Sequence, residues 1–281
     1  MLKAVVFDMD DTLLSINLSA FLAIFAKDES KILADIGRKN PLQMFGGFAA
    51  AMLGVNEDLR DDNDTNLAYF NKLILRNCGI PLEDETISEA LRYYEREILP
   101  GRNDSLINAR PREGAHEAVE AVLDHGLRIA LLTNPSFNEP CIRARMGWGE
   151  MLDMPFELIT TMENSTRCKP SPIYYLESLE KMGLQPHEVL MVGNDVKRDF
   201  PTPYCGIQTA YVGAGKPTRA TWCGPMSSFA PKLDLIIDLF DQKDEQTRRS
   251  YREPGCASDY APAHARRQPA GPEPLHHARR S

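Results

Sequence analysis

The stretch that most constrains this chain is its first. Apart from Lys3 it is apolar from Leu2 to Phe7, and it continues Asp8-Met9-Asp10-Asp11-Thr12-Leu13-Leu14. An apolar run of this kind reads as a strand covered on both faces, as in a parallel sheet lying between helices. Ligands in such sheets bind beyond the carboxyl ends of the strands, and residues i and i+2 of an extended segment project to the same side. Asp8 and Asp10 are therefore a candidate site, two carboxylates able to address one ligand.

After Leu14 the period changes. Leu18, Phe21, Leu22 and Phe25 form an i, i+3, i+4, i+7 stripe, with Asn17 or Ser19 available as N-cap. Further helices are expected over about Glu29–Arg38, Pro41–Leu53, Asp64–Cys78 and Glu83–Ile98, and no strand pattern stands out between Ser15 and Arg110. The strand–helix alternation resumes near Arg112. A helix over Glu113–His125 precedes a strand over Leu127–Leu132 that runs into Thr133-Asn134. A second helix, from about Ser136 to Met146, leads to a short strand over Phe156–Thr160. Beyond Lys169-Pro170 come a helix over Ile173–Met182 and a strand over Glu188–Val192 that runs into Gly193-Asn194-Asp195. The strand Gln208–Val212 and the apolar stretch Leu233–Phe240 complete the pattern. Such alternation predicts an α/β fold, a parallel sheet with helices on both faces, here interrupted by a helical insertion.

Composition excludes several classes. Hydrophobic content of 43% and charged content of 26% are those of an ordinary soluble globular protein, and a net charge of −8 argues against a nucleic-acid partner. The six cysteines show no CxxC pair, the pattern of a reduced cytoplasmic protein, and the chain enters its first strand with no room for a signal peptide. No membrane partner is expected, because the longest uncharged stretch, Asn40 to Asn56, contains Pro41, Gln43 and two adjacent glycines, and its apolar part from Met44 to Val55 is shorter than a bilayer span. From about Asp241 the composition shifts. Arg248–Ser281 carries seven arginines, three acids and five prolines with almost no apolar periodicity, so residues 241–281 read as a disordered tail.

Four positions thus fall at or just beyond strand ends: Asp8 with Asp10, Thr133, Lys169, and Asp195 with Asp199. Each alone has an ordinary explanation as a cap, a turn or a surface charge. In this order, however, they resemble the haloacid dehalogenase-like hydrolase superfamily. Its DxDx[TV] motif matches Asp8-Met9-Asp10-Asp11-Thr12, its second-motif Thr or Ser matches Thr133, its Lys-Pro matches Lys169-Pro170, and its acidic motif matches Gly193-Asn194-Asp195 with Asp199 beyond. The resemblance implies a Rossmann-like three-layer α/β/α core over 1–15 and 110–240, with a helical cap over 16–109.

The same resemblance implies a hydrolase that cleaves a small phosphorylated metabolite with Mg²⁺. Asp8 is the implied nucleophile, forming an aspartyl-phosphate, and Asp10 the implied acid and base. Thr133, Asn134 and Lys169 would hold the phosphoryl group. The implied metal ligands are Asp8, the carbonyl of Asp10, and Asp195. The fourth motif departs from the common Gly-Asp order, since Asn194 follows the glycine, and Asn194 or Asp199 are alternative sharers of the metal. Charge accounting agrees: Asp8, Asp195 and Asp199 around a phosphate dianion require a hard cation among them. Asp10 separates this chain from dehalogenase and phosphonatase members, which lack an acid there. Two other readings stand beside the phosphatase: a phosphosugar mutase of similar cap type, and a non-catalytic binding protein. Leaving-group contacts are sought in the cap at Arg38, Lys39 and Phe45-Gly46-Gly47-Phe48, although ordinary burial preferences favour solvated charges and cap core for these residues.

Overall fold

Ala4–Phe7 forms β1, every residue of which is buried. The computed structural model of the chain describes residues 1–57, 60–200 and 206–252. In it β1 pairs in parallel with β4 (Arg128–Leu131) on one side and β5 (Val189–Gly193) on the other. Beyond β5 lie β6 (Gln208–Tyr211) and the two-residue β7 (Trp222–Cys223), all parallel, in the order β4-β1-β5-β6-β7. This is the parallel α/β sheet expected from the sequence.

Alternation along β1 divides the core between two faces. Val5 and Phe7, with Ile129, Leu131, Leu190 and Val192, belong to one apolar cluster, which includes Ala115, Ala118 and Val119 of α5 (Ala115–Asp124) and Leu233, Ile236 and Phe240 of α8 (Leu233–Arg252). Ala4 and Val6 belong to the other, with Ala130, Met191 and the aromatic face of α7 (Pro172–Met182), where Tyr174 and Tyr175 are wholly buried. Helices thus cover both faces of the sheet.

Three elements differ from the sequence pattern. The strand expected at Phe156–Thr160 follows the β4 edge through backbone bonds such as Leu131 N–H to Leu158 (2.8 Å), but it forms only an isolated bridge, Leu131 to Ile159. Leu14–Ser15 (β2) and Arg110–Pro111 (β3), read as non-strand, pair antiparallel and tie together the two ends of the insertion. The apolar stretch at Leu233–Phe240 is the first half of α8, which continues to Arg252, so the segment expected to be disordered begins within a helix; 253–281 lie outside the described residues.

The insertion holds α1 (Leu18–Gly37), α2 (Pro41–Val55), α3 (Asn66–Cys78) and α4 (Glu85–Tyr93). Each start is explained by a capping side chain: Asn17, Asn40 with Pro41 after it, Thr65 and Asp84 all accept from free N–H groups of the first turn. Gly79, at φ +63°, closes α3 in the left-handed region that glycine enters without strain. The two helices expected over 18–38 are one, because nothing between Phe25 and Glu29 breaks the helix and its stripe continues through Ala26 and Ser30 to Leu33. Asn66 joins the insertion to the core: its side-chain amide donates to the carbonyls of Pro135 (3.0 Å) and Arg167 (3.2 Å). Among the described residues no helix is long and apolar enough to cross a membrane.

Candidate active site

The turn after β1 is built around Met9, whose carbonyl accepts from the N–H groups of Thr12, Leu13 and Leu14. Asp11 takes φ +53°, a conformation that Asp tolerates better than most residues. The turn brings Thr12 back over the strand end, where its hydroxyl lies 3.1 Å from Asp8 Oδ2 and 3.1 Å from Asn194 Oδ1.

Lys169 enters from the loop before α7. Its buried ammonium donates to Asp8 Oδ1 and Asp199 Oδ1, both at 2.7 Å. Burial alone would pull Lys169 down, but the Asp199 and Asp8 carboxylates outweigh it and hold the ammonium well above its ordinary value. The same burial, reinforced by Asp199, pushes Asp8 up to about 7 against the opposing pull of Lys169. Asp199 is itself anchored, since its Oδ2 accepts the backbone N–H groups of Asn194 (3.0 Å) and Asp195 (2.9 Å). Glycine at 193 is required for this, because a Cβ there would stand 2.4 Å from the Asp199 carboxyl.

Thr133 and Asn134 follow β4 toward the same end of the sheet. The Thr133 carbonyl is held by the hydroxyls of Thr160 (2.7 Å) and Tyr174 (2.8 Å). Asn134 accepts from the Lys169 backbone N–H (3.1 Å) and donates to Asn56 Oδ1 (2.6 Å) at the end of α2, so it links the lysine loop to the insertion.

The fourth motif differs from expectation. Asp195 spends Oδ1 on the backbone N–H groups of Lys197 (2.7 Å) and Arg198 (3.3 Å), capping its own turn. Asn194 is the residue whose side-chain oxygen faces Thr12 and, across it, Asp8. Asp195 Oδ1 is thus engaged within its own turn, and of these two adjacent residues it is Asn194 whose oxygen meets the Thr12 hydroxyl beside Asp8. In the insertion, Arg38 and Lys39 are exposed at the end of α1, Phe45 is partly exposed, and Phe48 is buried.

Arg145 is a site residue that sequence reasoning missed. On α6 (Glu139–Trp148) its fully buried guanidinium is paired with Asp10 and lies 5.0 Å and 5.1 Å from the ring centres of Phe21 and Phe137. It stands next but one to Arg143, which is half-exposed and paired with Glu139, so composition offers no sign of the difference.

A metal fit can be judged from the oxygen donors. One hydroxyl proton on Thr12 can serve only one of the two acceptors it faces, which leaves a surplus of acceptor oxygen at Asp8 and Asn194. Hard oxygens in this number suit a cation that binds through one or two carboxylates and keeps several waters. Among the described residues no group of three His, Cys, Asp or Glu side chains is assembled for a metal; across the Thr12 hydroxyl from Asp8 stands the amide oxygen of Asn194.

A family profile described as haloacid dehalogenase-like hydrolase matches residues 2–202. The chain belongs to the haloacid dehalogenase-like hydrolases. It is 27% identical over 202 residues to a phosphoglycolate phosphatase from Nitrosospira multiformis, covering 69% of this chain and 76% of that one. It is likewise 27% identical over 249 residues to an N-acetylmuramic acid 6-phosphate phosphatase from Pseudomonas aeruginosa, covering 86% and 96%. Among solved structures a β-phosphoglucomutase from Clostridium difficile superposes with a TM-score of 0.51 at 14% identity, covering 86% of this chain and 99% of that one, a likeness of fold. Within the family, its relatives place this chain with the phosphatase-type members.

Proposed function

We propose that the protein hydrolyses a small phosphomonoester to an alcohol and inorganic phosphate, in two displacements at Asp8 and with Mg²⁺ as cofactor. The observation that carries this reading is the placement of Asp8. Its carboxylate stands at the end of β1, between β4 and β5, fixed by Lys169 on one oxygen and Thr12 on the other. In the first displacement an Asp8 oxygen bonds to phosphorus, the ester P–O bond breaks, and a proton from Asp10 passes to the leaving oxygen. In the second, Asp10 takes a proton from water, whose oxygen displaces the Asp8 oxygen from phosphorus. Lys169, Thr133 and Asn134 neutralise and orient the transferring group. Arg145 pairs with Asp10 and acts as a positioning residue for the proton carrier. The Mg²⁺ would be held by Asp8, Asn194 and the Asp10 carbonyl, and when bound it supplies counter-charge to the phosphoryl oxygens. The helical insertion would act as a cap that excludes water.

The test is phosphate release from an aryl phosphate with Mg²⁺ and with excess chelator. Release with Mg²⁺ that falls at least about tenfold in chelator is expected; no release under either condition would refute the reading. An isomerised phosphosugar in place of free phosphate would assign a mutase instead. Fourth-motif substitutions divide the two candidate ligands. Asp195→Asn is expected to leave the half-saturating Mg²⁺ concentration within about threefold of wild type. Asn194→Asp, by adding ligand charge, is expected to lower it on the order of tenfold. A large effect of Asp195→Asn with none of Asn194→Asp would restore Asp195 as the ligand.

A further inference from the structure

A cavity of about 260 Å³ lies between α1–α4 of the insertion and the chain that follows Asn134. Its apolar wall is a row of phenylalanines: Phe137 meets Phe25 edge to face at 5.3 Å between ring centres, Phe25 lies tilted against Phe48 at 6.3 Å, and Phe48 meets Phe70 edge to face at 5.6 Å. Among its polar lining are Glu29, 2% exposed, and Glu95, 0% exposed. Glu29 Oε1, Asn71 Oδ1 and Asn138 Oδ1 are buried there with no hydrogen-bond partner among the described residues. All three are acceptor atoms. Four carboxylates and one guanidinium line the space, and that guanidinium, Arg92, donates within its own helix to Glu89 (3.2 Å) and Ser88 (3.2 Å).

The cavity adjoins the candidate active site. The Phe137 ring that forms part of its wall lies 5.1 Å from the Arg145 guanidinium, which pairs with Asp10. Ser136, another wall residue, accepts from Asn134 (3.1 Å). Asp10 is the group assigned to the leaving oxygen, so the space beyond it is on the leaving-group side.

We propose that this cavity receives the leaving group of the substrate and that the leaving group carries an ammonium, which makes the substrate class the phosphate esters of small amino alcohols. The inference rests on the phosphatase reading. An N–H-rich cation answers every feature of the cavity together. Its donors satisfy the three orphaned acceptors, its charge offsets Glu29 and Glu95, and the phenylalanine faces attract it through their quadrupoles. A neutral polyol would satisfy the acceptors and leave both acids holding their protons; an anionic group would bring no donor to the orphaned oxygens. The acids are held accordingly: burial with Glu95 and Asp28 nearby raises Glu29 well above its ordinary value, and burial chiefly raises Glu95 to about 8. Without a cation they favour protons, and an ammonium would take the place of one.

The experiment compares 2-aminoethyl phosphate with propyl phosphate, which matches it in size and lacks the charge. A kcat/KM for the aminoethyl ester about tenfold or more higher, carried by KM, is expected for wild type. In Glu29→Gln/Glu95→Gln and in Glu29→Gln alone the ratio of the two kcat/KM values should shrink towards one, the aminoethyl ester losing more than propyl phosphate and losing it through KM. Equal rates for the two esters in wild type, or an unchanged preference in both variants, would overturn the proposal. Calorimetric binding of ethylammonium separates the two levels of inference. Binding lost in Glu29→Gln, with no ester hydrolysed, would sustain the cavity's chemistry and overturn the substrate class along with the phosphatase reading. Hydrolysis of both esters at equal rates, with no ethylammonium bound, would overturn the cavity and leave the phosphatase intact.

Discussion

Asp8→Asn is expected to reduce phosphate release on the order of 10⁴-fold or more, the scale of removing a covalent nucleophile that acts with its neighbours as a unit. The substitution is close to isosteric. The amide oxygen still accepts from Lys169 or Thr12, so the strand end and its turn keep their shape. What is lost is the negative charge and with it the nucleophilic oxygen. Stability should move the other way. Asp8 sits at about 7 in the folded protein, above its ordinary value of 3.8, so the folded state binds the proton more tightly than the unfolded one. Stability associated with that proton is present below the unfolded value and is lost as pH rises through the folded one. Asparagine cannot lose it. In chelator, the melting temperature of Asp8→Asn should therefore exceed that of wild type by more at pH 8 than at pH 5. Label from a phosphate analogue on Asp8 in wild type and none in Asp8→Asn would support the covalent step; attachment to another residue would refute it.

The contrast between Asp8 and Arg145 shows what can be read from sequence. Asp8 and Asp10 announce themselves because strand, turn and acid are contiguous, and the period-2 geometry of a strand end is local. The insertion is legible for the same reason: its stripes and its caps at Asn17, Asn40, Thr65 and Asp84 lie within a few residues of the helices they define. Arg145 is separated from Asp10 by 135 positions, and its charge looks solvated until α6 is packed beneath the strand end. Glu29 and Glu95 are hidden in the same way. Both lie among charged neighbours on helices, and only tertiary packing takes them out of water: Glu95 meets Asn138 at the start of α6, and Tyr94 beside it meets Phe25 and Asp28 of α1. The fourth motif is a finer case. Its spacing admits Asn194 or Asp195 at the strand end, and the proposal of Asn194 rests on a turn in which Asp195 Oδ1 accepts the N–H groups of Lys197 and Arg198.

Lys169→Met separates catalysis from architecture at this site. Methionine has a similar reach and no charge, so the Asp8 and Asp199 carboxylates would face a buried space that the ammonium now fills. Removing one partner from a buried ion pair costs about 3–5 kcal/mol, which in a chain of this size is a fall of roughly 6–20 °C in melting temperature. With the lysine gone, burial and Asp199 act on Asp8 unopposed by it, so the carboxylate is driven further above its ordinary range and less of it is ionised at neutral pH. Activity should fall at least about 10³-fold through loss of both the ionised nucleophile and the charge on the phosphoryl group. The informative variant is Lys169→Met/Asp199→Asn. It removes one of the two opposed charges, and its amide oxygen can still accept the N–H groups of Asn194 and Asp195, so most of the lost stability should return. Activity should not return, because phosphate still meets no cation at position 169. Recovery of activity together with stability would reduce Lys169 to a structural counter-charge and remove it from the proposed chemistry.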